Sequence, residues 1–263
     1  MRKGFGPLKR RLKSITSKLW SLGGVAFILL VWQVCCTLGL MPDYMLPSPA
    51  KVVRAFGSNF GILMDHARIS LLESFLGLGI GILLALLITA VMDRFQIIYK
   101  MTYPLLVITQ AIPVVAIAPL LVLWLGYGMT PKVVLIVIVC FFPIAVGLLD
   151  GLKAADPDQM NLLRAMGAGR SQIFRHIKFP GALPGFFSGL KVSVSFSIIG
   201  AVVAEWLGGD KGLGVYMTRV RKSYAYDKMF AVIFLVIAIS LLLMWLTGFV
   251  EKRVMPWKQA KER

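Results

Sequence analysis

The chain has 263 residues, of which 58% are apolar without counting glycine, and its formal net charge at pH 7 is +17. Soluble domains average about 45–50% apolar residues even with glycine included, so this composition excludes an ordinary soluble domain and predicts an integral membrane protein. A large positive charge can indicate nucleic-acid binding. The positions of the basic residues exclude that class, since seven of the 29 Lys and Arg residues lie in 1–19 and five follow Glu251.

Six apolar segments, interrupted only by Lys191 and Glu205, are each long enough to cross a bilayer. They are 20–40, 74–92, 101–131, 133–149, 186–207 and 229–250. Backbone amides in lipid must bond within their own segment, so about 20 helical residues span the hydrocarbon core. We therefore predict an all-α protein with six transmembrane helices.

The domain organisation follows from these segments. We predict a membrane domain over 20–250 that contains a polar loop at 151–185, with basic tails at 1–19 and 251–263. Clustered Lys and Arg beside a membrane helix favour the cytoplasmic side and its anionic lipid. With an even number of helices, both termini are predicted to be cytoplasmic.

Prolines and glycines mark the first half of the chain. The connection 41–68 begins with three prolines and is predicted to carry a short surface helix over 50–60. In the second segment, Gly77 and Gly81 have the small-xxx-small spacing that lets helices pack closely in lipid. The third segment contains three prolines and is predicted to be one bent helix beside a path through the membrane.

Three residues are candidates for that path or its gate. Gln110 and Pro113 lie in the bent third segment, where the glutamine either faces the path or joins two helices. Glu205 ends the fifth segment, where an ionisable group is costly unless it faces protein or water, so it serves either as a gate or solute contact or in packing. Glu73 and Lys191 are placed near helix ends and are interpreted as structural.

The loop 151–185 is the most informative segment. Asp156 and Pro157 form a helix-start signal, and Gly167 fits a left-handed helix stop. A second short helix is predicted over 170–178, ending near Pro180. Such a rigid helix-turn-helix can receive force from a soluble partner.

Here the chain resembles the permease subunits of ATP-binding-cassette (ABC) importers that depend on a binding protein. Their cytoplasmic loop has a glycine, nine residues, an isoleucine, two residues and a proline, which Gly167, Ile177 and Pro180 match. Where the family has Glu-Ala-Ala, this chain has Asn161, Leu162 and Leu163. The resemblance implies that these six residues couple the chain to an ATPase subunit.

Further family motifs occur in order along the chain. They are Leu46-Pro47-Ser48-Pro49, Gln110-Ala111-Ile112-Pro113, Ala118-Pro119-Leu120, Phe141-Phe142-Pro143, Pro180-Gly181-Ala182-Leu183-Pro184 and Gly212-Leu213-Gly214. This set looks like the branch that serves nitrate, sulfonates, taurine and thiamine-precursor pyrimidines. Within this resemblance, the run from Ala204 to Gly208 with the following Gly212-Leu213-Gly214 favours a thiamine-precursor pyrimidine as substrate, with sulfonate, taurine or nitrate as the alternative.

The resemblance also implies partners and a location. The expected architecture is that of a type I importer in the bacterial cytoplasmic membrane, with a cytoplasmic coupling helix. A second permease chain, forming a homodimer, is expected beside two cytoplasmic ATP-binding subunits and an external substrate-binding protein. ATP and Mg are expected in the ATPase subunits, so no cofactor is expected in this chain.

No catalytic or metal site is predicted. His66 and His176 fall on opposite faces of the membrane in this topology, and no segment has the phosphate-binding pattern of an ATPase. An integral-membrane enzyme would need its acid, base or metal groups gathered at one depth. A carrier driven by an ion gradient remains an alternative, but buried charges are scarce.

Overall fold

The computed structural model describes residues 20, 23–24, 26–40, 42 and 45–257, so the predicted tail 1–19 and the C-terminal 258–263 lie outside the described residues. The helices are α1 (Ala26–Thr37), α2 (Pro49–Ser58), α3 (Phe60–Arg94), α4 (Gln96–Gln110), α5 (Val114–Leu125), α6 (Met129–Lys153), α7 (Pro157–Ala165), α8 (Arg170–Ile173), α9 (Phe179–Leu207), α10 (Leu213–Lys222) and α11 (Tyr226–Val254). A π-helical turn, Phe174–Lys178, joins α8 to α9. No strand occurs in the described part of the chain, so the all-α class is confirmed.

Four helical segments are long and apolar enough to cross a membrane. They are α3, α6, α11 and the continuous segment Arg170–Leu207. In the most apolar window of α11 only 17% of the residues are buried, which leaves an apolar surface suited to lipid. The pair α4 and α5 can supply a fifth crossing, and α1 is a shorter apolar helix, so the count of six stays a prediction.

The third apolar segment differs from its prediction as one bent helix. Helices α4 and α5 meet at 102°, with a complete break before Pro113, the N-cap of α5. Pro113 lacks the amide hydrogen that would continue the helix and disfavours helical backbone at Ile112. The predicted end of this segment at Pro131 is also wrong, because α6 begins at Met129 after a turn with positive φ at Gly126 and Gly128.

The second span is longer than predicted. Helix α3 begins at Phe60, whereas the apolar run begins at residue 74. Glu73 is therefore well inside the helix and buried, not near its end, and Lys191 likewise lies within α9. Of the polar residues in these first four turns, His66, Ser70 and Glu73 are buried, while Asp65 and Arg68 are exposed.

The described residues form two compact units. One consists of the described residues up to Phe60 together with Val220–Val232; in it, Ser48 caps α2 from the side-chain oxygen and the rings of Trp32 and Phe230 lie 5.8 Å apart. The predicted surface helix over 50–60 is confirmed as α2. The other unit consists of residues 61–219 and 233–257 and contains the sites described below.

Glycines let the backbones of α6 and α9 touch. A Cβ atom on Gly185 would lie 2.1 Å from the carbonyl oxygen of Gly147, and one on Gly189 would lie 2.2 Å from that of Pro143. The predicted pair on α3 also packs against α6: a Cβ on Gly77 would lie 2.5 Å from the side chain of Ile136. Small residues thus set the helix spacing in the core of this unit.

Candidate functional site

Helix α7 is capped at both ends by neighbouring residues. The Asp156 carboxylate accepts the Asp158 amide at 2.9 Å, as its capping role predicts. At the other end, Gly167 has φ +85°, and the amides of Gly167 and Ala168 bond to the carbonyls of Arg164 and Leu163 at 3.0 and 2.9 Å. These two bonds form a Schellman motif, which confirms the left-handed stop.

No residue of α7 is buried. Leu162 is 63% exposed and Met166 beside it is 74% exposed, while Leu163 is half-buried. Asn161 is exposed, and its side-chain oxygen accepts a hydrogen bond from Arg164 at 2.8 Å. Because α7 buries none of its own residues fully, most of its surface is available to another molecule.

The predicted end of the second loop helix near Pro180 is wrong. The chain stays helical from Arg170 to Leu207. The wider π turn Phe174–Lys178 directly precedes α9, and Pro180 stands at the start of that helix, where a missing amide hydrogen is tolerated. Ile177 lies in the π turn and, like Pro180, is half-buried.

Side-chain contacts anchor the base of this loop to the membrane helices. Lys178 in the π turn forms an ion pair with Asp93 of α3, with 2.7 Å between Nζ and Oδ1. Lys153 at the end of α6 lies over the ring of Tyr99, 3.9 Å from its centroid. The loop therefore stands on a fixed base while α7 projects from it.

A cavity of about 180 Å³ lies beside the break between α4 and α5. Its lining residues come from α4, α5, α6 and α9 and the connection between α4 and α5, and none is charged. They are Thr109, Ile112, Val114, Ile117, Leu135, Ile138, Val139, Phe142, Pro143 and Phe196. Pro113, a predicted path residue, is exposed between two of them, while the prediction for the Gln110 side chain lies outside the described residues.

Glu205, the third predicted path residue, lies elsewhere. Its carboxylate is buried, accepts the Ser70 hydroxyl at 2.6 Å and accepts the amide of Gly214 at 2.6 Å. Nearby, Glu73 forms a buried ion pair with Lys132 of α6 at 2.8 Å. The cavity and this polar cluster thus use different residues, and Glu205 is not among those that line the cavity.

Sequence reasoning missed most of the partners of Glu205 and Glu73. His66, Ser70 and Glu73 recur at helical spacing on α3. This periodicity is a signal in the sequence, but it can be recognised only if the helix is taken to begin near Phe60. Lys132 was placed between two spans, whereas it lies in the first turn of α6. Among the described residues no group of three or more His, Cys, Asp or Glu side chains could hold a metal ion.

The comparisons with known proteins all match membrane transport proteins. Residues 77–256 match the family model described as binding-protein-dependent transport system inner membrane component. A probable ABC transporter permease protein from Haemophilus influenzae is 39% identical, over 83% of this chain and 89% of that protein. The formylaminopyrimidine transport permease protein ThiX from Halalkalibacterium halodurans is 33% identical, over 96% and 99%. The taurine transport permease protein TauC from Escherichia coli is 28% identical, over 90% and 89%.

The structure is similar to those of solved transporters as well. A chain of the inward-facing methionine ABC transporter MetNI aligns with a TM-score of 0.62 and 19% identity, over 75% of this chain and 96% of that one. Permeases for sulfonate and nitrate are also among the relatives. The resemblance predicted from the motifs, including its branch, is confirmed.

Proposed function

The chain belongs to the family of binding-protein-dependent transport system inner membrane components, and we propose that its α7 loop couples an importer's ATPase to transport. It is a non-catalytic, multi-pass permease subunit of an ABC importer. The proposal adds that ATP binding by two cytoplasmic subunits moves the loop. An external binding protein delivers the solute, and a second copy of this chain completes the pore, with both termini in the cytoplasm.

The exposed α7, fixed at both ends, is the observation that carries this proposal. Isolated helices shorter than about 12–15 residues are marginal in water, so this nine-residue helix depends on its caps and on its partner. Its exposed apolar residues, Leu162 and Met166, offer the partner a hydrophobic contact. In this account Asn161, Leu162 and Leu163 replace the family's acidic contact with a largely apolar one.

Gly167→Val is expected to lower ATP-driven uptake by roughly 5- to 30-fold. Left-handed backbone costs L-residues about 1–2 kcal/mol, and a β-branched side chain is a poor fit at φ +85°. A Cβ at this position would meet nothing within 4 Å, so the effect comes from backbone strain and not from a clash. Uptake and ATPase activity would be measured together in proteoliposomes that contain the whole complex.

Gly167→Asn is the matched control, because asparagine tolerates left-handed backbone. It should retain uptake near that of the wild type while adding a side chain of similar size. Equal loss in both variants would contradict the role of the backbone conformation. If no ATPase subunit copurifies with the wild-type chain, the coupling proposal itself fails.

We propose a small, uncharged heteroaromatic solute of the formylaminopyrimidine class as the substrate. The cavity beside the break has Phe142 and Phe196 in its wall, and Thr109 contributes the only polar side chain among its ten lining residues. An anion such as taurine's sulfonate or nitrate would be costly in a cavity without a charged or donor-rich wall. A planar ring can pack on aromatic side chains and accept or donate a few hydrogen bonds.

Uptake of formylaminopyrimidine by cells that produce the complete importer tests this proposal. We expect saturable uptake that an excess of taurine, an alkanesulfonate or nitrate leaves unchanged. Cells that lack this chain provide the control. Uptake of taurine or nitrate in place of the pyrimidine would reassign the chain to the sulfonate or nitrate members of the branch.

A further inference from the structure

Three successive amides at the start of α10 are bonded by side chains that are remote in sequence. The Gly212 amide donates to His66 Nδ1 at 3.0 Å, the Leu213 amide to Ser70 Oγ at 2.8 Å, and the Gly214 amide to Glu205 Oε2 at 2.6 Å. The first amides of a helix have no partner within it, so these bonds satisfy groups that water would otherwise hydrate. We call this arrangement the α10 latch.

Glu205 is the centre of the α10 latch. One oxygen of its carboxylate accepts the Gly214 amide and the other accepts the Ser70 hydroxyl, which in turn accepts the Leu213 amide. The residue is 2% exposed, so water does not compete for these bonds.

The backbone of the turn is shaped around this carboxylate. Gly212 has φ +131°, and a Cβ atom there would lie 2.2 Å from the Glu205 carboxyl carbon. A Cβ on Gly214 would lie 2.3 Å from the carbonyl oxygen of Val202. The ring of Tyr216 on the next turn lies 5.2 Å from that of His66. Helix α10 is thereby joined to both α3 and α9.

A single helical rod connects the α10 latch to the α7 loop. The chain is continuously helical from Arg170, three residues after Gly167, to Leu207, two residues after Glu205. At 1.5 Å per residue, these 38 residues extend for about 57 Å, which exceeds the thickness of a bilayer's hydrocarbon core. A rod of this length that crosses the membrane has its two ends at opposite sides.

We propose that Glu205 is a positioning residue that locks α10 to the far end of this rod, so that movement at the Gly167 loop reaches α10 across the membrane. The inference rests on the proposed coupling function of the loop. It assigns to Glu205 a mechanical role in place of contact with the solute. On this proposal, α10 lies on the side of the membrane opposite the α7 loop and moves in response to the ATPase.

Hydrogen–deuterium exchange on the whole complex, with and without ATP and vanadate, tests the proposal. In the wild type, trapping with ATP and vanadate should change exchange both at 156–168 and at 212–219. In Glu205→Ala, the change at 156–168 should persist while the change at 212–219 is lost. The Gly214 amide should exchange about tenfold faster or more in that variant, because its hydrogen bond to the Glu205 carboxylate is removed.

Two further variants keep the test specific. Glu205→Gln retains an oxygen that can accept the Gly214 amide, and it should restore the response of 212–219 to ATP and vanadate. Asp210→Ala removes an exposed carboxylate from the same turn and should behave as the wild type. Rescue by glutamine separates positioning from a general loss of folding.

Different failures have different meanings. If the wild type responds at 156–168 but not at 212–219, or if Glu205→Ala keeps the response of 212–219, the locking role is wrong while the coupling function stands. If the wild type shows no response at 156–168, the proposed coupling function fails, and this inference fails with it.

Discussion

Lys132→Met is expected to lower the free energy of unfolding by about 3–5 kcal/mol, which is the usual cost of removing one partner of a buried ion pair. Lys132 Nζ lies 2.8 Å from Glu73 Oε1, and both residues are buried. Among the described residues the other carboxylate oxygen of Glu73 accepts no hydrogen bond, so the lysine is the main compensation for this carboxylate. Thermal unfolding of the purified protein in detergent, followed by size exclusion, should show a fall of roughly 10 °C in Tm.

The double variant Glu73→Leu with Lys132→Met provides the decisive comparison. Replacing both partners removes the uncompensated charge, so it should be more stable than Lys132→Met alone. Lys211→Met serves as the control, since this lysine is exposed in a turn of the same unit. Equal Tm values for the single and double variants would contradict the cost assigned to an unpaired, buried Glu73.

Gly185→Ala is expected to disrupt the packing of α6 against α9. The added methyl group would lie 2.1 Å from the Gly147 carbonyl oxygen, and backbone atoms cannot move aside as a flexible side chain can. Overpacking in cores typically costs about 1–3 kcal/mol, and contact with backbone places this case at the upper end or beyond. A clear decrease in Tm and in the yield of folded protein would be seen in the same detergent assay.

Gly181→Ala is the matched control on the same helix. A Cβ at Gly181 meets nothing within 4 Å. Alanine favours a helix over glycine by up to about 1 kcal/mol, so this variant should be neutral or slightly more stable. If Gly185→Ala matched it, the close approach of the two backbones would be wrong.

Local features of the loop could be predicted because they depend on neighbouring residues. Asp156 followed by Pro157 is a helix-start signal that depends only on nearby residues, and Gly167 ends the helix with left-handed backbone. The extent of the next helix could not be predicted in this way. Pro180 would stop a regular α-helix, but the π turn before it lets the chain continue.

In the candidate site, too, local features could be predicted from the sequence and contacts between distant residues could not. Glu205 can be recognised from the sequence as an unusual ionisable group, since any charge in an apolar segment is evident from hydropathy. Its hydrogen-bond partners are provided by α3 and by the start of α10, the nearest nine and the farthest 135 residues away in sequence. The cavity residues from four helices are likewise brought together only by folding.

The sequence by itself determined the membrane class, the all-α fold, the family and the capped α7. Apolar runs, helix caps and short motifs each depend on residues that are neighbours in the chain, so they can be recognised without knowing how the helices pack. Only the tertiary structure decided that Glu73 pairs with Lys132, that Gly147 and Gly185 touch, and that Glu205 holds α10. A buried charge or a glycine is stabilising or costly according to the atoms that face it. Those atoms come from helices distant in the chain, and their positions are fixed only when the helices pack.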